Sequence, residues 1–339
     1  MNKYLLILLL CLSVVQAQQT NFEKGFDAFE KGEYAEAIEY YTQYIDEGGT
    51  LNTYYNRGLA HYYAKNHEEA IADFSMAIEL DSLDFEAYHN RGIVFYDQNK
   101  YALAADDFQK SIAINPEFDE TYAYLGLLNY KQTNYEKAID YYNVAISINS
   151  TKSNFFYNRA LCKQALKDYE EAEIDFRSAI KNKPSSNSHW GLANLYFEQK
   201  KYEKAIAEYE KAIQLNPNNS ALYFNKGICF YENNQFEPSI EDFKQVIAID
   251  EEYIDALWYL VLSHKALGKT ERALNFYKQV ETLNPTYEYL KTINKSELQI
   301  KNAFAEKLIY KVLLGVMILI ALVLAFKIFF RKEEVVRKV

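Results

Sequence analysis

A frame of three positions, spaced by twelve and then four residues, recurs about every 34 residues along most of this chain. The first position is small and holds Gly25, Gly58, Gly92, Gly126, Ala160, Ala193, Gly227 and, as the one larger exception, Val261. The second holds Ala37, Ala70, Ala104, Ala138, Ala172, Ala205, Ser239 and Ala273. The third is always aromatic, at Tyr41, Phe74, Phe108, Tyr142, Phe176, Tyr209, Phe243 and Tyr277. Eight copies in register predict a repeat protein, in which one small unit is stacked many times.

Each copy has the apolar spacing of helices rather than strands. Tyr122, Leu125 and Leu128 recur every three residues, and Ala138 and Tyr142 follow at a spacing of four. Four prolines fall eight residues after the aromatic position, where a helix has to end because proline cannot continue it. They are Pro116, Pro184, Pro217 and Pro285. Each copy is therefore predicted to be a pair of antiparallel helices.

The small residues indicate a close crossing of the two helices. We expect Gly92 and Ala104 to meet at such a crossing, since a larger side chain there would push the backbones apart at a cost of about 1–3 kcal/mol. The aromatic residue is expected to fill the gap to the next pair, because one helix pair cannot bury its apolar face alone. Stability would then come from neighbouring copies.

These features resemble the tetratricopeptide repeat (TPR), as residues 54–58 (Tyr-Tyr-Asn-Arg-Gly) and 68–71 (Glu-Glu-Ala-Ile) illustrate. The resemblance covers residues 18–287. It implies an all-α fold, a right-handed superhelical solenoid of about eight helix-turn-helix repeats. The predicted repeats are 18–50, 51–84, 85–118, 119–152, 153–185, 186–219, 220–253 and 254–287.

The N-terminal residues 1–17 are predicted to be a secretory signal peptide, with Lys3 before an apolar run and a small residue at the end, Ala17. The run is too short to span a bilayer, which needs about 20 apolar residues. A lipoprotein site at Cys11 is an alternative, although the residue before it is a large leucine. Thr20 and Glu23 then have the spacing of a capping box at the first helix.

The C-terminal segment 308–330 is apolar except for Lys311 and Lys327, which predicts a transmembrane helix with lysines at the two interfaces. A buried last helix of the solenoid is the alternative. Residues 288–307 are expected to form a helix that caps the last repeat and connects it to the membrane. The basic tail 331–339 favours a cytoplasmic C-terminus. Together with the signal peptide it predicts a single-pass membrane protein with exported repeats, periplasmic if the protein is bacterial.

Nothing in the chain has the pattern of a catalytic, metal or nucleic-acid site. A net charge of −10 disfavours binding to phosphates. The five histidines are scattered over the repeats without metal-ligand spacing, and Cys162 and Cys229 fit small core residues. Carboxylate pairs such as Asp106 and Asp107 are interpreted as solvent-facing. We expect no enzyme, no cofactor and no nucleic-acid partner.

The TPR resemblance implies a concave groove lined by the first helix of each pair. The residues that it places there, three before and four after the small position, are mostly aromatic. The candidates for a peptide groove are Tyr55, Tyr62, His89, Tyr96, Tyr157, Trp190, Phe197, Phe224, Tyr231 and Trp258. The position just after the small residue is aliphatic in six copies, where many family members place an asparagine for a peptide backbone. An extended peptide with apolar or aromatic anchors would suit this surface, and the alternative is that these rings only pack against neighbouring repeats.

Asparagines recur two residues before the small position, at Asn56, Asn90, Asn158 and Asn225. They resemble the residues that hold a peptide carboxylate in some family members. The lysines that accompany such a clamp are missing, which favours hydrogen bonds between repeats instead. The sequence therefore predicts a membrane-anchored scaffold that binds a protein or peptide partner, in assembly of a cell-envelope complex. The alternatives are a self-associating structural protein, or homo-oligomer, and, more remotely, an envelope enzyme.

Overall fold

The computed structural model describes residues 19–293 together with Lys295, Leu298 and Lys311. This part of the chain holds sixteen α-helices and one short 3₁₀ helix, Glu288–Thr292, and no strand, so the predicted all-α class is confirmed. The helices are α1 Asn21–Glu30, α2 Tyr34–Asp46, α3 Leu51–Tyr63, α4 His67–Leu80, α5 Phe85–Asp97, α6 Tyr101–Ile114, α7 Asp119–Lys131, α8 Tyr135–Ile148, α9 Ser153–Ala165, α10 Tyr169–Asn182, α11 Ser186–Glu198, α12 Tyr202–Leu215, α13 Ser220–Glu232, α14 Phe236–Ile249, α15 Ile254–Ala266 and α16 Thr270–Leu283.

The chain divides into two compact units, Met1–Lys183 and Pro184–Val339. The first unit contains the five hairpins α1–α10, and the second contains the three hairpins α11–α16 and the 3₁₀ helix. Within each unit, the two helices of a hairpin pack on each other. The second helix of a hairpin also packs on the first helix of the next hairpin in the same unit. Each unit is thus a stack in which every hairpin depends on its neighbours.

The turn inside each hairpin has one residue in the left-handed backbone region, seven positions after the small residue. These residues are Gly32, Lys65, Asn99, Thr133, Lys167, Lys200, Asn234 and Gly268. In the second hairpin, the Lys65 amide donates to the carbonyl of Tyr62 at 3.0 Å and the Asn66 amide donates to that of His61 at 2.8 Å. These bonds satisfy carbonyls at the end of the first helix and reverse the chain within three residues.

In the five hairpins whose small residue is glycine, the aromatic residue of the frame lies directly over that glycine. A Cβ atom built on Gly92 would stand 2.7 Å from Cε1 of Phe108, and one on Gly126 would stand 2.7 Å from Cζ of Tyr142. The nearest atoms to Gly92 thus belong to Phe108, and the predicted contact of Gly92 with Ala104 stays a prediction. The second helix is oriented so that the aromatic ring, four residues after the alanine of the frame, covers the glycine. Because glycine has no side chain, the ring has room to pack there.

An arginine before the small position binds an aspartate before the aromatic ring in three hairpins of the first unit. Arg57 donates from Nε and Nη2 to the two carboxylate oxygens of Asp73, at 2.8 and 2.7 Å, and from Nη1 to Thr42 of the preceding hairpin at 3.0 Å. The same arrangement recurs as Arg91–Asp107–Ser75 and Arg159–Asp175–Asn143. The predicted solvent-facing position of Asp107 is thus wrong, because its side chain is 3% exposed and saturated by Arg91.

The predicted capping box is present at the N-terminal end of the described region, whereas the C-terminal end differs from the continuous helix that the sequence predicts. Thr20 and Glu23 form the capping box of α1, with the Glu23 amide 3.2 Å from the Thr20 hydroxyl and the Thr20 amide 2.8 Å from the Glu23 carboxylate. The expected helix over 288–307 instead begins as the 3₁₀ helix and is interrupted at Ile293, whose backbone is extended. Leu290 and Ile293 turn into the core of the last hairpin, and this burial outweighs a continuous helix.

The two predicted membrane-related segments lie outside the described residues. Residues 1–17 are not described, and of 308–330 only Lys311 is. Within the described residues, no helix combines the length and apolarity that a bilayer crossing requires.

Candidate functional site

In the first unit, the predicted groove tyrosines are half-buried and contact side chains of a neighbouring hairpin or of their own hairpin. Asn90 of α5 donates to the hydroxyl of Tyr55 in the preceding hairpin at 2.9 Å. The Tyr62 hydroxyl donates to Asp97 at 2.8 Å, and burial followed by that hydrogen bond raises the pKa of Tyr62. The rings of Tyr96 and Tyr157 pack edge-on or tilted against Tyr101 and Phe176. Tyr55 and Tyr62 therefore link neighbouring repeats, whereas these contacts of Tyr96 and Tyr157 lie within one hairpin.

His89 is not part of an accessible surface. The side chain is 3% exposed and lies among the rings of Phe108, Phe118 and Tyr124, with centroids 4.9–5.8 Å away. Its Nδ1 is 2.8 Å from the hydroxyl of Thr121. Burial lowers the pKa of His89 to about 4, so the ring is neutral at physiological pH. His89 is a core residue of the first unit rather than a groove contact, because the next hairpin covers it.

In the second unit, Trp190 and Phe197 of α11 are half-buried. The indole Nε1 of Trp190 is enclosed without a hydrogen-bond partner among the described residues. Phe197 packs on Tyr202 with centroids 5.9 Å apart. Tyr231 of α13 contacts Phe236 at 5.5 Å and also reaches α15. Phe197 and Tyr231 therefore pack against other rings of the second unit.

The last hairpin builds a cavity of about 470 Å³ that we call the terminal cleft. It lies among α13, α15 and the 3₁₀ helix of the second unit. Its lining residues are Phe224, Ile228, Asp255, Trp258, Tyr259, Leu262, Tyr287, Tyr289 and Thr292. Two of the ten predicted groove residues, Phe224 and Trp258, meet here. The volume is within the range of about 300–1,000 Å³ that is typical of ligand sites.

Three aromatic rings form one side of the terminal cleft. Trp258 is 4% exposed and lies at the bottom, whereas Tyr289 is 45% exposed. The planes of these two rings are inclined by 22°, with centroids 6.3 Å apart. Tyr287 stands edge-on to both, at 5.9 and 5.4 Å. Its hydroxyl donates to Oδ1 of Asp255, which is exposed.

Two tyrosines that the sequence analysis passed over shape the packing between hairpins. Tyr124 and Tyr259 occupy the position where other copies have asparagine. Tyr259 stacks on Phe243 of the preceding hairpin, with centroids 5.1 Å apart and planes 23° apart. Tyr124 lies on Phe108 in the same way, at 5.5 Å and 30°. Comparison of this one position across the copies could have found them.

The polar residues that resembled a carboxylate clamp are engaged within the protein. Arg57, Arg91 and Arg159 are bound to their aspartates, as described above. Asn90 donates to Tyr55 and to the carbonyl of Glu86, each at 2.9 Å. Asn90 therefore makes a hydrogen bond between repeats, and each arginine–aspartate pair joins the two helices of one hairpin.

The reactive residue types do not converge in the described part of the chain. No three of its histidine, cysteine, aspartate and glutamate side chains are placed to hold a metal ion. Cys162 and Cys229 are buried free thiols, and burial raises the pKa of each to about 12, so neither is a reactive thiolate. His189 is paired with Glu208 of the same hairpin at 2.7 Å.

Family models described as tetratricopeptide repeat or TPR repeat match residues 52–82, 85–118, 119–152, 153–186, 193–233, 220–253 and 255–287. Since these matches cover more than half of the chain, it belongs to the TPR family. Proteins of this family bind protein or peptide partners.

Curated relatives match only in part. The chain is 31% identical over 127 residues to serine/threonine-protein phosphatase 5 of Rattus norvegicus, which is 38% of this chain and 24% of the phosphatase. It is 28% identical over 123 residues to small glutamine-rich tetratricopeptide repeat-containing protein 2 of Saccharomyces cerevisiae, 34% of this chain and 36% of that protein. The chain therefore spans only about a quarter to a third of these relatives.

Solved TPR structures show the same fold. The C-terminal part of a TPR repeat-containing protein from Cytophaga hutchinsonii superposes with a TM-score of 0.59 at 18% identity, covering 70% of this chain and 98% of that one. PilW, a type IV pilus biogenesis factor, superposes with a TM-score of 0.54 at 16% identity, covering 61% and 97%. At this identity the likeness concerns the fold.

Proposed function

We propose that this protein is a membrane-anchored TPR scaffold that binds a segment of a protein partner and helps to assemble a cell-envelope complex. The observation that carries the binding part is the terminal cleft, where aromatic and aliphatic side chains remain accessible around a cavity of about 470 Å³. Large rings such as Tyr289, which is 45% exposed, and the half-buried Phe224 provide contact area at a low cost in conformational entropy. An extended segment with apolar or aromatic side chains suits this lining best.

Membrane anchoring is the second part of the proposal and rests on the sequence alone. The apolar segment 308–330 would cross the bilayer, and the signal peptide 1–17 would direct the repeats out of the cytoplasm. The last hairpin would then hold the terminal cleft near the membrane surface. Protease protection of intact spheroplasts or vesicles, with antibodies to each end, tests this orientation. A protected repeat region on the cytoplasmic side would contradict it.

Site-specific photocrosslinking of the full chain in its native membranes tests partner binding. A photoreactive phenylalanine at Ile228 lies in the terminal cleft. The matched control places the same group at Ile249, an exposed side chain at the end of α14 outside the cleft lining. We expect a distinct partner adduct from position 228 that position 249 does not give. Identical adduct patterns from both positions would contradict a binding role for this cleft.

Self-association is a second candidate, and an exposed surface on α1 favours it. Phe26 is 48% exposed beside a depression of about 710 Å³ that Gln19, Phe22, Glu23 and Asp27 also line. Another copy could cover this surface, since TPR hairpins bury their apolar faces by stacking. Sedimentation of the full chain at several concentrations should then show an oligomer that Phe26→Glu converts to a monomer. A concentration-independent monomer would exclude this alternative.

A further inference from the structure

The terminal cleft combines aromatic walls with a single charged lining residue. Asp255 is exposed, and the hydroxyl of Tyr287 donates to its Oδ1. No described residue donates a hydrogen bond to its other oxygen, Oδ2, which is therefore open to solvent and to a ligand. A carboxylate beside accessible aromatic faces is a combination that attracts an organic cation, through charge pairing and cation–π contact.

Neighbouring charges strengthen this preference. Burial raises the pKa of Tyr259 most, the charge of Glu232 raises it next, and the charge of Asp255 makes a smaller contribution. The hydroxyl of Tyr289 donates a hydrogen bond to the carboxylate of Glu288. This bond and the charge of Glu288, followed by burial and the charge of Asp255, raise the pKa of Tyr289. The charged groups that act on these two tyrosines are carboxylates or other tyrosines. In the described part of the chain, no lysine or arginine lies over a ring of the cleft.

The first unit contains a filled version of the same arrangement. Glu120 stands six residues before its small position, Gly126, as Asp255 stands six before Val261. The ammonium group of Lys152, which is 32 residues further along, donates to Glu120 at 3.0 Å. In the second unit Tyr287 is the residue 32 positions after Asp255. A carboxylate at this place in a TPR hairpin can therefore bind a cationic side chain, and none of the described lysines or arginines is paired with Asp255.

We propose that the terminal cleft binds an arginine side chain of the partner segment, with its guanidinium group against the exposed ring of Tyr289, above the buried Trp258, and hydrogen-bonded to Asp255. Arginine fits better than lysine because a planar guanidinium both stacks on rings and donates to a carboxylate. The apolar residue next to the arginine would contact Ile228 and Leu262. This inference rests on the proposed function, since it specifies the chemistry of the partner that the cleft receives.

The experiment uses the fact that the chain has two tryptophans. In full-length protein with Trp190→Phe, Trp258 is the only tryptophan, and its fluorescence reports the cleft directly. The probe is the dipeptide acetyl-Leu-Arg-amide, titrated at low and at high salt. Its matched control is the citrulline counterpart, which keeps the shape and loses the charge. We expect saturable binding of the arginine probe, weakened by salt, and binding about tenfold weaker for citrulline.

Variants assign the binding to the cleft. Asp255→Asn removes the charge and keeps an oxygen that can accept from Tyr287, and we expect about tenfold weaker binding of the arginine probe. Glu252→Gln removes an exposed charge from the preceding turn and should leave binding unchanged. Tyr289→Leu, at an exposed position, keeps apolar area without a ring and should also weaken binding. Equal binding to Asp255→Asn and its parent protein would overturn the proposal.

Two further outcomes separate this inference from the proposed function. If tetramethylammonium binds more tightly than the arginine probe, the site takes a quaternary ammonium group and the assignment to arginine is wrong. If the arginine probe fails to bind while crosslinking from position 228 still captures a partner, the inference fails and the scaffold function stands. If neither binding nor capture is observed, both fail.

Discussion

The seventh hairpin contains an incomplete version of the arginine–aspartate pairs, and its repair should stabilise the protein in a pH-dependent way. Lys226 takes the arginine position and reaches Oδ1 of Asp242 at 3.2 Å. The second oxygen, Oδ2, is buried without a hydrogen-bond partner among the described residues. Lys226→Arg should supply the second donor, because Arg57, Arg91 and Arg159 each bind both oxygens of an equivalent aspartate.

The magnitude follows from the pKa of Asp242. Burial, only partly offset by Lys226, raises this pKa from its ordinary value of 3.8 to about 6. In the unfolded chain the carboxyl loses its proton near pH 4, whereas in the folded protein it keeps the proton until about pH 6. The folded state therefore binds more protons in this window, and stability is full below pH 4 and falls as the pH rises to 6. At 1.36 kcal/mol per unit, the loss is on the order of 3 kcal/mol.

The assay is urea unfolding of the full chain, followed by circular dichroism at pH 4 and pH 7.5. Because a second guanidinium bond lowers the pKa of Asp242 towards its ordinary value, we expect Lys226→Arg to add about 1–2 kcal/mol to the free energy of unfolding at pH 7.5 and little at pH 4. Arg91→Lys is the mirror control and should reproduce the defect at Asp107. A gain of equal size at both pH values would refute the reasoning, since it would not come from ionisation of Asp242.

Two further pairs of substitutions test the repeat geometry by the same unfolding assay. Thr133 is β-branched and stands in the left-handed region with φ 61°, so Thr133→Gly should stabilise by about 1 kcal/mol. Gly32→Ala, at the equivalent turn with φ 79°, is expected to destabilise, and the same sign for both changes would contradict the turn assignment. Gly92→Val should cost about 1–3 kcal/mol because Phe108 already stands where a Cβ would be. Gly48→Val is the matched control, because Gly48 has open space around it but a φ of 104°, so this change causes backbone strain without crowding. An unaltered urea midpoint for Gly92→Val would contradict the ring contact.

The periodic frame was sufficient to predict the helical hairpins, because spacing and proline positions are local properties of the sequence. It could not show which ring covers Gly92, since the rotation of one helix against another depends on packing. The left-handed turns were also invisible at Lys65 and Thr133, where no glycine marks them. At such sites the two short hydrogen bonds of the turn and the packed helices outweigh the local backbone preference.

The groove residues show a similar division. Phe224 and Trp258, two of the residues that the frame selected, line the terminal cleft. It also selected His89, which the next hairpin buries. Whether such a residue is covered depends on the following copy, which the frame of its own hairpin does not contain. Tyr287 and Tyr289 were missed because they lie beyond the last aromatic position of the repeats.

The terminal cleft can be understood as a junction between repeats that is only partly built. His89 contacts Phe118, Phe224 contacts Tyr253, and Trp258 contacts Tyr287, at 4.9, 5.0 and 5.9 Å. Each pair is separated by 29 residues, so the repeat contact continues one step past the last hairpin. In the described residues, a five-residue 3₁₀ helix, Glu288–Thr292, stands at the place where the repeat spacing would begin another first helix. Trp258 is as deeply buried there as His89, at 4% and 3% exposed, but Tyr289 of the short element is 45% exposed. A partner segment that brings apolar and cationic groups would cover this ring and complete the junction.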